Sequence, residues 1–527
     1  MRIAKNILYV RYKMKYILKE YPDLLEKAES MSTDELLLSV ISPNITVGKH
    51  TPPRNTTSIF IHPTDTKSAK ATAYEINRDR ETPALIVSDM EYGAGSAVAG
   101  AVEFPSMMAA TAAGDEALAC EMGVVAAQEA LTAGYQWTFG PCVDILMNHA
   151  SPIVSIRTAA DNADDVIKYG GAYMRGLQDA GLIATLKHFP GDGCSPDDQH
   201  LAPTVNPLSQ KEWDESFGRV YSTLIGQGAM SIMPGHISLP AYDTPDENGI
   251  YPPATVSRAL LTDLLKTKLG FEGIIVSDAV NMGGFCGYKN LYEASSMFLE
   301  AGGDCLLFMH GDDEYFSEMK KHIKSGLLKI ETLKNRAYRM MCFCRHYYEI
   351  LNKLDKKPFD RAHAEAVSRE MVNKCVQIDY DRAHILPYDV KRGASIAHVI
   401  IANAGMTDTK CATDLTSELC ALGADVTEFT DPGPDALRNM AKSKEYELII
   451  CSVFAGASWG LNTSKLCGPA ARNMMCGWTR FGTPCVFVNY KNPYLKEQYF
   501  ATIDTLINTY GTTDDTPRAV INRITGK

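Results

Sequence analysis

From about residue 58 to residue 310, short apolar runs alternate with longer stretches in which apolar residues recur every three or four positions. The short runs predict strands and the longer stretches predict helices. Alternation at this spacing is typical of βαβ units and a parallel sheet. The predicted strands lie at 58–62, 84–88, 137–143, 183–186, 229–233, 273–277 and 304–308. Six to eight such units over roughly 300 residues favour a (β/α)8 TIM-like barrel.

The intervening helices are predicted at 106–133, 163–180, 210–226, 257–269 and 291–301. A continuous helical pattern at 334–354 leads into a charged stretch that we interpret as a bridging helix. Beyond about residue 395, five further apolar runs predict a smaller doubly wound α/β C-terminal domain. Its strands are expected at 396–402, 425–429, 446–453, 484–489 and 505–509. We therefore expect a barrel domain at 1–355 with an N-terminal helical extension, a helical linker at 356–394 and a C-terminal domain at 395–527.

Composition narrows the classes of partner. A net charge of −11 and a pI near 5.6 disfavour nucleic acid and anionic membranes, because no basic face offsets phosphate repulsion. No uninterrupted apolar run reaches membrane-spanning length, so we expect no membrane partner. Fourteen cysteines without paired spacing indicate reduced thiols and a cytoplasmic location. The C-terminal part carries no glycine-rich nucleotide motif, which favours a scaffold role.

Polar side chains follow most of the predicted barrel strands. In a parallel barrel the carboxyl ends of the strands converge on one face, so these side chains predict an active-site edge. The densest stretch is LIATLKHFPGDGCSPDDQH at 182–200, where an apolar run ends at a lysine and a histidine and a polar loop follows. The polar residues at strand ends are Asp89, Glu91, Asp144, Lys187, His188, His236, Asp278 and His310.

Two features of this edge suit glycoside hydrolysis, which needs a carboxylate and a proton donor on opposite sides of the scissile bond. Asp278 ends an apolar strand in GFEGIIVSDAVNMGG, where it can be held rigid and partly desolvated. His200 lies two residues after Asp198, and alternate residues of an extended loop project to the same side. Asp198 can therefore orient the imidazole of His200 as an acid/base.

The motifs resemble those of glycoside hydrolase family 3, specifically its β-N-acetylglucosaminidase (β-hexosaminidase) branch in the two-domain form. KHFPG at 187–191 combines with DQH at 198–200, and PATVSRALLTDLLKTKLGFEGIIVSDAVNM follows at 253–282. MPGHISLP from 233 and AGGDCLLF from 301 agree with the same family. The resemblance covers the predicted barrel and extends more weakly to the linker and the C-terminal domain.

The resemblance implies that Asp278 is a nucleophile that forms a glycosyl-enzyme and that His200, oriented by Asp198, is the general acid/base. It implies no metal or organic cofactor, a small carbohydrate substrate, and a monomer or homodimer. The activity it implies is exo-acting hydrolysis of terminal β-linked N-acetylglucosamine with retention of configuration. The sugar-binding residues carried over from the family are Asp89, Arg157, Lys187 and His188.

The chain departs from the family pattern beside these residues. Asp192 stands where the family usually has a second histidine, and Tyr92 to Gly95 lack the usual arginines. Fewer cations predict weaker recognition of an anionic or peptide-bearing sugar. The alternatives are a β-N-acetylglucosaminide phosphorylase or a β-glucosidase using the same residues, and a non-catalytic sugar-binding barrel. The residues leave open the aglycone, the choice between 2-acetamido and 2-hydroxy sugars, and the oligomeric state.

Overall fold

The computed structural model describes residues 15–49, 52–355, 357–406, 408–458 and 460–527. These residues form two compact units. The first unit extends to Glu103 and adds Ala119–Met147 and Ala160–Ala364. The second unit consists of Phe104–Leu118, Asn148–Ala159 and Glu365–Lys527. Two short segments from the first third of the chain therefore belong to the second unit.

The strands of the first unit pair in parallel around a closed ring. Each strand pairs with the next along the chain, and Ile41 pairs with Leu306 to join the first strand to the last. Single bridges between Trp137 and Ile183 and between Val276 and Cys305 complete the ring. The strands are Ile41–Ser42 with Asn44–Ile45, Ser58–Ile61, Leu85–Ser88, Trp137–Thr138, Thr185–Phe189, Ser231–Pro234, Ile274–Ile275 and Leu306–Leu307.

All seven predicted strands of this part overlap an observed strand, which confirms the parallel α/β arrangement. The strand at 41–45 was not predicted. It is only a few residues long and is interrupted at Pro43, which has no N–H to donate to a ladder. A short run broken by proline gives little of the apolar signal on which strand prediction depends.

Helices separate the strands of the ring, and residues at the helix ends determine where each helix stops. The predicted helix at 106–133 is in fact two helices, Met107–Ala113 and Glu116–Thr132. Gly114 between them adopts a left-handed conformation with φ of 69°, which glycine tolerates at a helix end. The main helices of the first unit are Pro22–Ser30, Thr33–Ser39, Thr66–Asn77, Glu116–Thr132, Ala163–Asp165 continuing to Asp179, Gln210–Glu215, Phe217–Gly226, Ala259–Lys268, Leu291–Ala301, Asp313–Ser325 and Ile330–Lys353.

The predicted N-terminal helical extension is found only in part. A helix spans Pro22–Ser30, residues 15–21 are not helical, and residues 1–14 lie outside the described residues. The predicted linker contains the helix Arg361–Cys375 and the strand Gln377–Asp381. In the described part of the chain, no helix combines the length and the apolar character needed to cross a membrane.

The second unit is built on a sheet of six strands. Five are parallel and one edge strand is antiparallel. The order across the sheet is Gln377–Asp381, Thr505–Asn508, Cys485–Asn489, Leu448–Phe454, Ser395–Ala402 and Asp425–Thr430. The five predicted strands are confirmed, whereas Gln377–Asp381 was not predicted. The helices of the second unit are Met107–Ala113, Lys410–Ala421, Pro434–Ser443, Gly468–Arg472, Leu495–Tyr499 and Thr516–Thr525.

The two early segments join the second unit through hydrogen bonds and ring packing. The hydroxyl of Ser106 donates to the carbonyl of Tyr510 at 2.7 Å. The ring of His149 stacks on Tyr494 with centroids 3.5 Å apart, and its Nδ1 lies 2.6 Å from Glu497. These contacts connect residues far apart in the sequence within the second unit.

Candidate active site

Lys187 and His188 lie in the strand Thr185–Phe189, all of whose residues are buried. The ammonium of Lys187 is 3.2 Å from Oδ1 of Asp89 and 2.7 Å from Oε1 of Glu91. Asp89 is half-exposed, whereas the side chain of Glu91 is largely buried. Two carboxylates therefore hold one buried cation at the carboxyl end of the strands, with Asp89 facing solvent.

His188 forms a buried pair with Asp144. Its Nδ1 lies 2.7 Å from Oδ2 of Asp144, and its backbone N–H donates to Oδ1 of the same carboxylate at 3.0 Å. Burial of the Asp144 carboxyl favours a raised pKa, but the neighbouring His188 imidazole outweighs it and the pKa is lowered. The other ring nitrogen of His188, Nε2, lies 3.9 Å from Oδ2 of Asp278. One imidazole thus connects two carboxylates.

Asp278 follows the strand Ile274–Ile275, and only 13% of its side chain is exposed. Its Oδ1 accepts a hydrogen bond of 2.8 Å from the backbone N–H of Ala279. Burial opposes ionisation, yet nearby basic groups, led by His188 and His236, lower the pKa of the Asp278 carboxyl below its usual value. Asp278 is therefore an ionised carboxylate in a largely water-excluded position.

The loop after Thr185–Phe189 carries the predicted dyad. Nδ1 of His200 lies 2.6 Å from Oδ1 of Asp198, which also accepts the backbone N–H of His200 at 2.9 Å. The Asp198 side chain is fully buried, while 29% of the His200 side chain is exposed. Nδ1 faces the carboxylate, and Nε2 lies on the opposite side of the ring.

The loop that carries His200 is docked on the loop that follows Asp278. The backbone N–H of Gly283 donates to the carbonyl of His200 at 2.8 Å, and that of Gly284 donates to the carbonyl of Gln199 at 3.1 Å. A Cβ atom on Gly283 would lie 2.3 Å from the carbonyl oxygen of Leu201, so a larger residue would displace the loop. Glycines here permit the close approach of the two backbones.

His236 lies near the Asp278 carboxylate and is fully buried. Its Nδ1 is 3.1 Å from Oγ1 of Thr255, and its Nε2 is 3.2 Å from the carbonyl of Ala279. Burial lowers the pKa of His236 to about 4, so the ring is neutral near pH 7. A carbonyl can only accept, so Nε2 carries the proton and Nδ1 accepts from the Thr255 hydroxyl.

The predicted site residues are divided between the two units. Lys187, His188, Asp89, Asp198, His200 and Asp278 all lie in the first unit. Arg157 lies in the turn Ser155–Arg157 of the second unit, where its Nη1 donates to the carbonyl of Ile153 at 3.1 Å. His310, one of the polar residues at strand ends, is exposed.

One group of side chains in the described residues has the composition of a metal site. The donor atoms of Cys142, Asp144 and His188 lie within 4.8 Å of one another, and all three residues are buried. The Cys142 thiol lies 3.0 Å from Oδ2 of Asp144, and His188 Nδ1 lies 2.7 Å from the same oxygen. These are hydrogen-bond distances, so the carboxylate already satisfies both neighbours.

Residues 54–342 match the model of the glycosyl hydrolase family 3 N terminal domain. The chain belongs to glycoside hydrolase family 3. It is 30% identical over 481 residues to a β-N-acetylglucosaminidase/β-glucosidase of Cellulomonas fimi, a match that covers 87% of this chain and 84% of that protein. It is 28% identical over 249 residues to a β-hexosaminidase of Psychromonas ingrahamii, covering 46% of this chain and 71% of that protein.

Solved structures agree. A β-glucoside phosphorylase superposes with a TM-score of 0.85 at 26% identity, over 96% of this chain and 93% of the other. A family 3 β-N-acetylglucosaminidase from Paenibacillus superposes with a TM-score of 0.80 over 94% of this chain and 97% of the other. At 19% identity the latter shows a shared fold. This family 3 chain is therefore a glycosidase that acts on β-linked sugars.

Sequence reasoning did not assign four polar side chains of this family 3 site. Glu91, Asp144 and His236 were noted only as polar residues at strand ends. Gln199 gave no signal, because it stands between two residues that do. A signal for Asp144 existed in its position after a strand, but its partner could be found only from the fold. The four residues are Glu91, Asp144, Gln199 and His236.

Proposed function

We propose that this protein is a retaining, exo-acting β-N-acetylglucosaminidase with Asp278 as nucleophile and His200 as acid/base. The observation that carries the proposal is the docking of the His200 loop on the loop after Asp278, through a 2.8 Å bond between Gly283 and the His200 carbonyl. It brings a histidine held by a buried carboxylate next to an ionised aspartate. We interpret the closed ring of parallel strands as the (β/α)8 barrel on whose carboxyl face these groups stand.

In the first step, a carboxylate oxygen of Asp278 attacks the anomeric carbon and the bond to the leaving oxygen breaks. Oδ2 is the suitable oxygen, because Oδ1 already accepts from Ala279. The leaving oxygen takes a proton from Nε2 of His200. Asp198 stabilises the charged imidazole that begins this step and holds the ring in place through Nδ1.

In the second step, His200 accepts a proton from a water molecule through the same Nε2 as that water attacks the anomeric carbon. The bond to Asp278 breaks and its carboxylate returns. Two displacements at one carbon leave the sugar with its original configuration. The low pKa of Asp278 favours its departure as a carboxylate.

The choice of sugar is supported by the relatives. The chain resembles proteins named β-hexosaminidase and β-N-acetylglucosaminidase/β-glucosidase. In this proposal Lys187, Asp89 and His188 hold sugar hydroxyls, and the half-exposed Asp89 supports it. Arg157 remains part of the proposal as a sugar-binding residue carried over from the family.

The test is a panel of aryl β-glycosides that compares the N-acetylglucosaminide with the glucoside. We expect a higher kcat/KM on the N-acetylglucosaminide, and proton NMR should show the β-anomer as the first product. Preference for the glucoside would reassign the protein as a β-glucosidase. Absence of turnover on both sugars would favour a sugar-binding protein without catalysis.

A second candidate is phosphorolysis, in which phosphate replaces water in the second step. It is favoured by the superposition on a β-glucoside phosphorylase and by the acid/base being an imidazole. A neutral imidazole does not repel incoming phosphate as a carboxylate would. Adding inorganic phosphate and assaying sugar 1-phosphate separates the two reactions. Hydrolysis alone at millimolar phosphate would exclude phosphorolysis.

A further inference from the structure

Asp192, the residue that departs from the family pattern, is buried at the centre of the site rather than on a solvated loop. Its backbone N–H donates to Oδ1 of Asp144 at 2.7 Å, and Asp144 holds His188. Its own Oδ1 accepts from the backbone N–H of Gly193 at 2.6 Å. The backbone of Asp192 is thus fixed to the pair that faces Asp278.

The second carboxylate oxygen of Asp192 faces the other half of the site. Nε2 of Gln199 donates to Oδ2 of Asp192 at 3.2 Å. Oε1 of the same glutamine accepts the backbone N–H of His236 at 2.8 Å. The side chain of Gln199 is almost completely buried and therefore uses both ends of its amide.

Gln199 is also fixed through its backbone and stands between the two members of the acid/base dyad. Its carbonyl accepts from Gly284, and its neighbours in sequence are Asp198 and His200. The segment is a turn, in which the backbone N–H of Leu201 donates to the carbonyl of Asp198 at 2.9 Å. Within this turn Gln199 is buried, whereas 29% of the His200 side chain is exposed.

We propose that Asp192 and Gln199 form a latch that holds the acid/base loop in register with the sugar-binding strand. The latch connects the Asp144–His188 pair to the Asp198–His200 pair through one side-chain hydrogen bond, and it makes Gln199 a positioning residue. The inference rests on the proposed function for its effect on turnover. It gives Asp192 a role in place of the histidine usual in the family.

The polarity of the latch makes it testable. Gln199→Glu keeps the shape and the acceptor for His236 but places a carboxylate 3.2 Å from that of Asp192. Like charges at this distance repel strongly in a buried site. Asp192→Asn removes one charge and leaves an amide that can donate to the new carboxylate. The double variant therefore restores a hydrogen bond with its direction reversed.

Four proteins complete the experiment: the parent, D192N, Q199E and D192N/Q199E. Hydrogen–deuterium exchange over residues 193–204 reports on the loop, and kcat/KM on aryl β-glycosides with good and poor leaving groups reports on the chemistry. We expect Q199E to raise loop exchange and to lower kcat/KM roughly ten- to a hundredfold, most on poor leaving groups. In the D192N background, Q199E should raise loop exchange and lower kcat/KM by much less.

Gln178→Glu is the matched control, because Gln178 is also a buried glutamine that uses both ends of its amide, but its two partners are backbone groups. Its Nε2 donates to Gly228 at 3.0 Å and its Oε1 accepts from Met230 at 3.2 Å. Q178E should lower the Tm as a buried carboxylate does, while the leaving-group dependence stays that of the parent. A general loss of stability would make Q178E and Q199E behave alike and would overturn the latch.

If Q199E changes loop exchange and kcat/KM equally with and without D192N, the latch is also overturned, because the effects of independent sites are additive. The exchange measurement keeps the inference separate from the proposed function. If the parent shows no turnover, the glycosidase mechanism fails, and the coupling between the two variants in loop exchange still decides whether the latch exists.

Discussion

Asp144 and His188 form a buried pair in which a single carboxylate accepts both the ring Nδ1 and the backbone N–H of the same histidine. Double contact fixes the plane of the imidazole as well as its position. The opposite ring nitrogen is thereby held 3.9 Å from Oδ2 of Asp278. Asp144 thus acts on the site through the histidine that it orients.

Asp144→Asn tests this role. An asparagine has one acceptor oxygen and cannot accept from the ring and the two backbone N–H groups as the carboxylate does. We expect kcat/KM on an aryl β-glycoside to fall roughly ten- to a hundredfold, because the His188 imidazole loses part of the contact that orients it. The exposed Asp164, paired with Arg219 on the surface, provides the control D164N, which should match the parent. Equal activity of D144N and D164N would contradict the role.

Asp278→Ala removes the proposed nucleophile. Without a carboxylate no covalent intermediate forms, so we expect turnover to fall roughly a thousandfold or more. Steady-state rates with an activated aryl glycoside and circular dichroism together separate lost chemistry from lost folding. Near-normal turnover by a folded variant would remove Asp278 from the mechanism.

His200→Ala should show a dependence on the leaving group. A good leaving group departs without protonation, so formation of the glycosyl-enzyme should be spared on dinitrophenyl substrates and slowed on alkyl substrates. The measurement is pre-steady-state release of the aglycone, which isolates the first step. A uniform loss across leaving groups would argue that His200 does not donate the proton.

Gly283→Ala tests the docking of the two loops without altering a polar group. The added methyl would lie 2.3 Å from the carbonyl of Leu201 and 3.1 Å from that of His200. We expect kcat to fall roughly tenfold or more, because a displacement of about 1 Å at a catalytic group is costly. Gly226→Ala is the control, since a Cβ there meets nothing within 4 Å. Wild-type kcat in G283A would show that the loop tolerates movement.

The second unit should be sensitive to acid through His398. This fully buried ring lies 2.7 Å from the hydroxyls of both Thr416 and Ser452, and burial lowers its pKa from 6.5 to about 4. Between these values the unfolded chain binds a proton that the folded chain does not. The contribution of the neutral His398 to the free energy of unfolding is therefore fully present above pH 6.5. It is lost as the pH falls from 6.5 to 4, and the loss amounts to about 3 kcal/mol.

Hydrogen exchange in the strand Ser395–Ala402 as a function of pH measures this effect. His398→Asn keeps polar contacts but does not titrate in this range, so its stability should vary less between pH 6.5 and 4. His236, with a pKa of about 4, should contribute the same sign of effect in the first unit. An identical pH profile for the parent and H398N would exclude His398 as the source.

The strands of both sheets could be predicted because a strand buried on both faces is a continuous apolar run. The exceptions are instructive. The strand at 41–45 is short and broken at Pro43, and Gln377–Asp381 is an edge strand with a polar pattern. Neither carries the apolar signal, so the pairing of Ile41 with Leu306, which closes the ring, was visible only in the structure.

The site was predictable as a set of residues but not as a set of contacts. Asp198 and His200 are near in sequence, and their pairing is confirmed, but the segment is a turn rather than the extended loop from which the pairing was predicted. Asp144 and His188 are 44 residues apart, and only the order of strands around the ring makes them neighbours. The role of Gln199 could not be predicted, because it depends on the hydrogen-bond partners at both ends of its amide, and these lie far away in the sequence.

The segments Phe104–Leu118 and Asn148–Ala159 have a consequence for how the chain can be made and cut. Ser106 and Tyr510 are hydrogen-bonded although 404 residues separate them. During synthesis the second unit therefore stays incomplete until Tyr510 has been made, and Ala109, which belongs to the core of that unit, lacks its packing partners until then. A fragment that ends at residue 355 would leave Ala109 without these partners permanently.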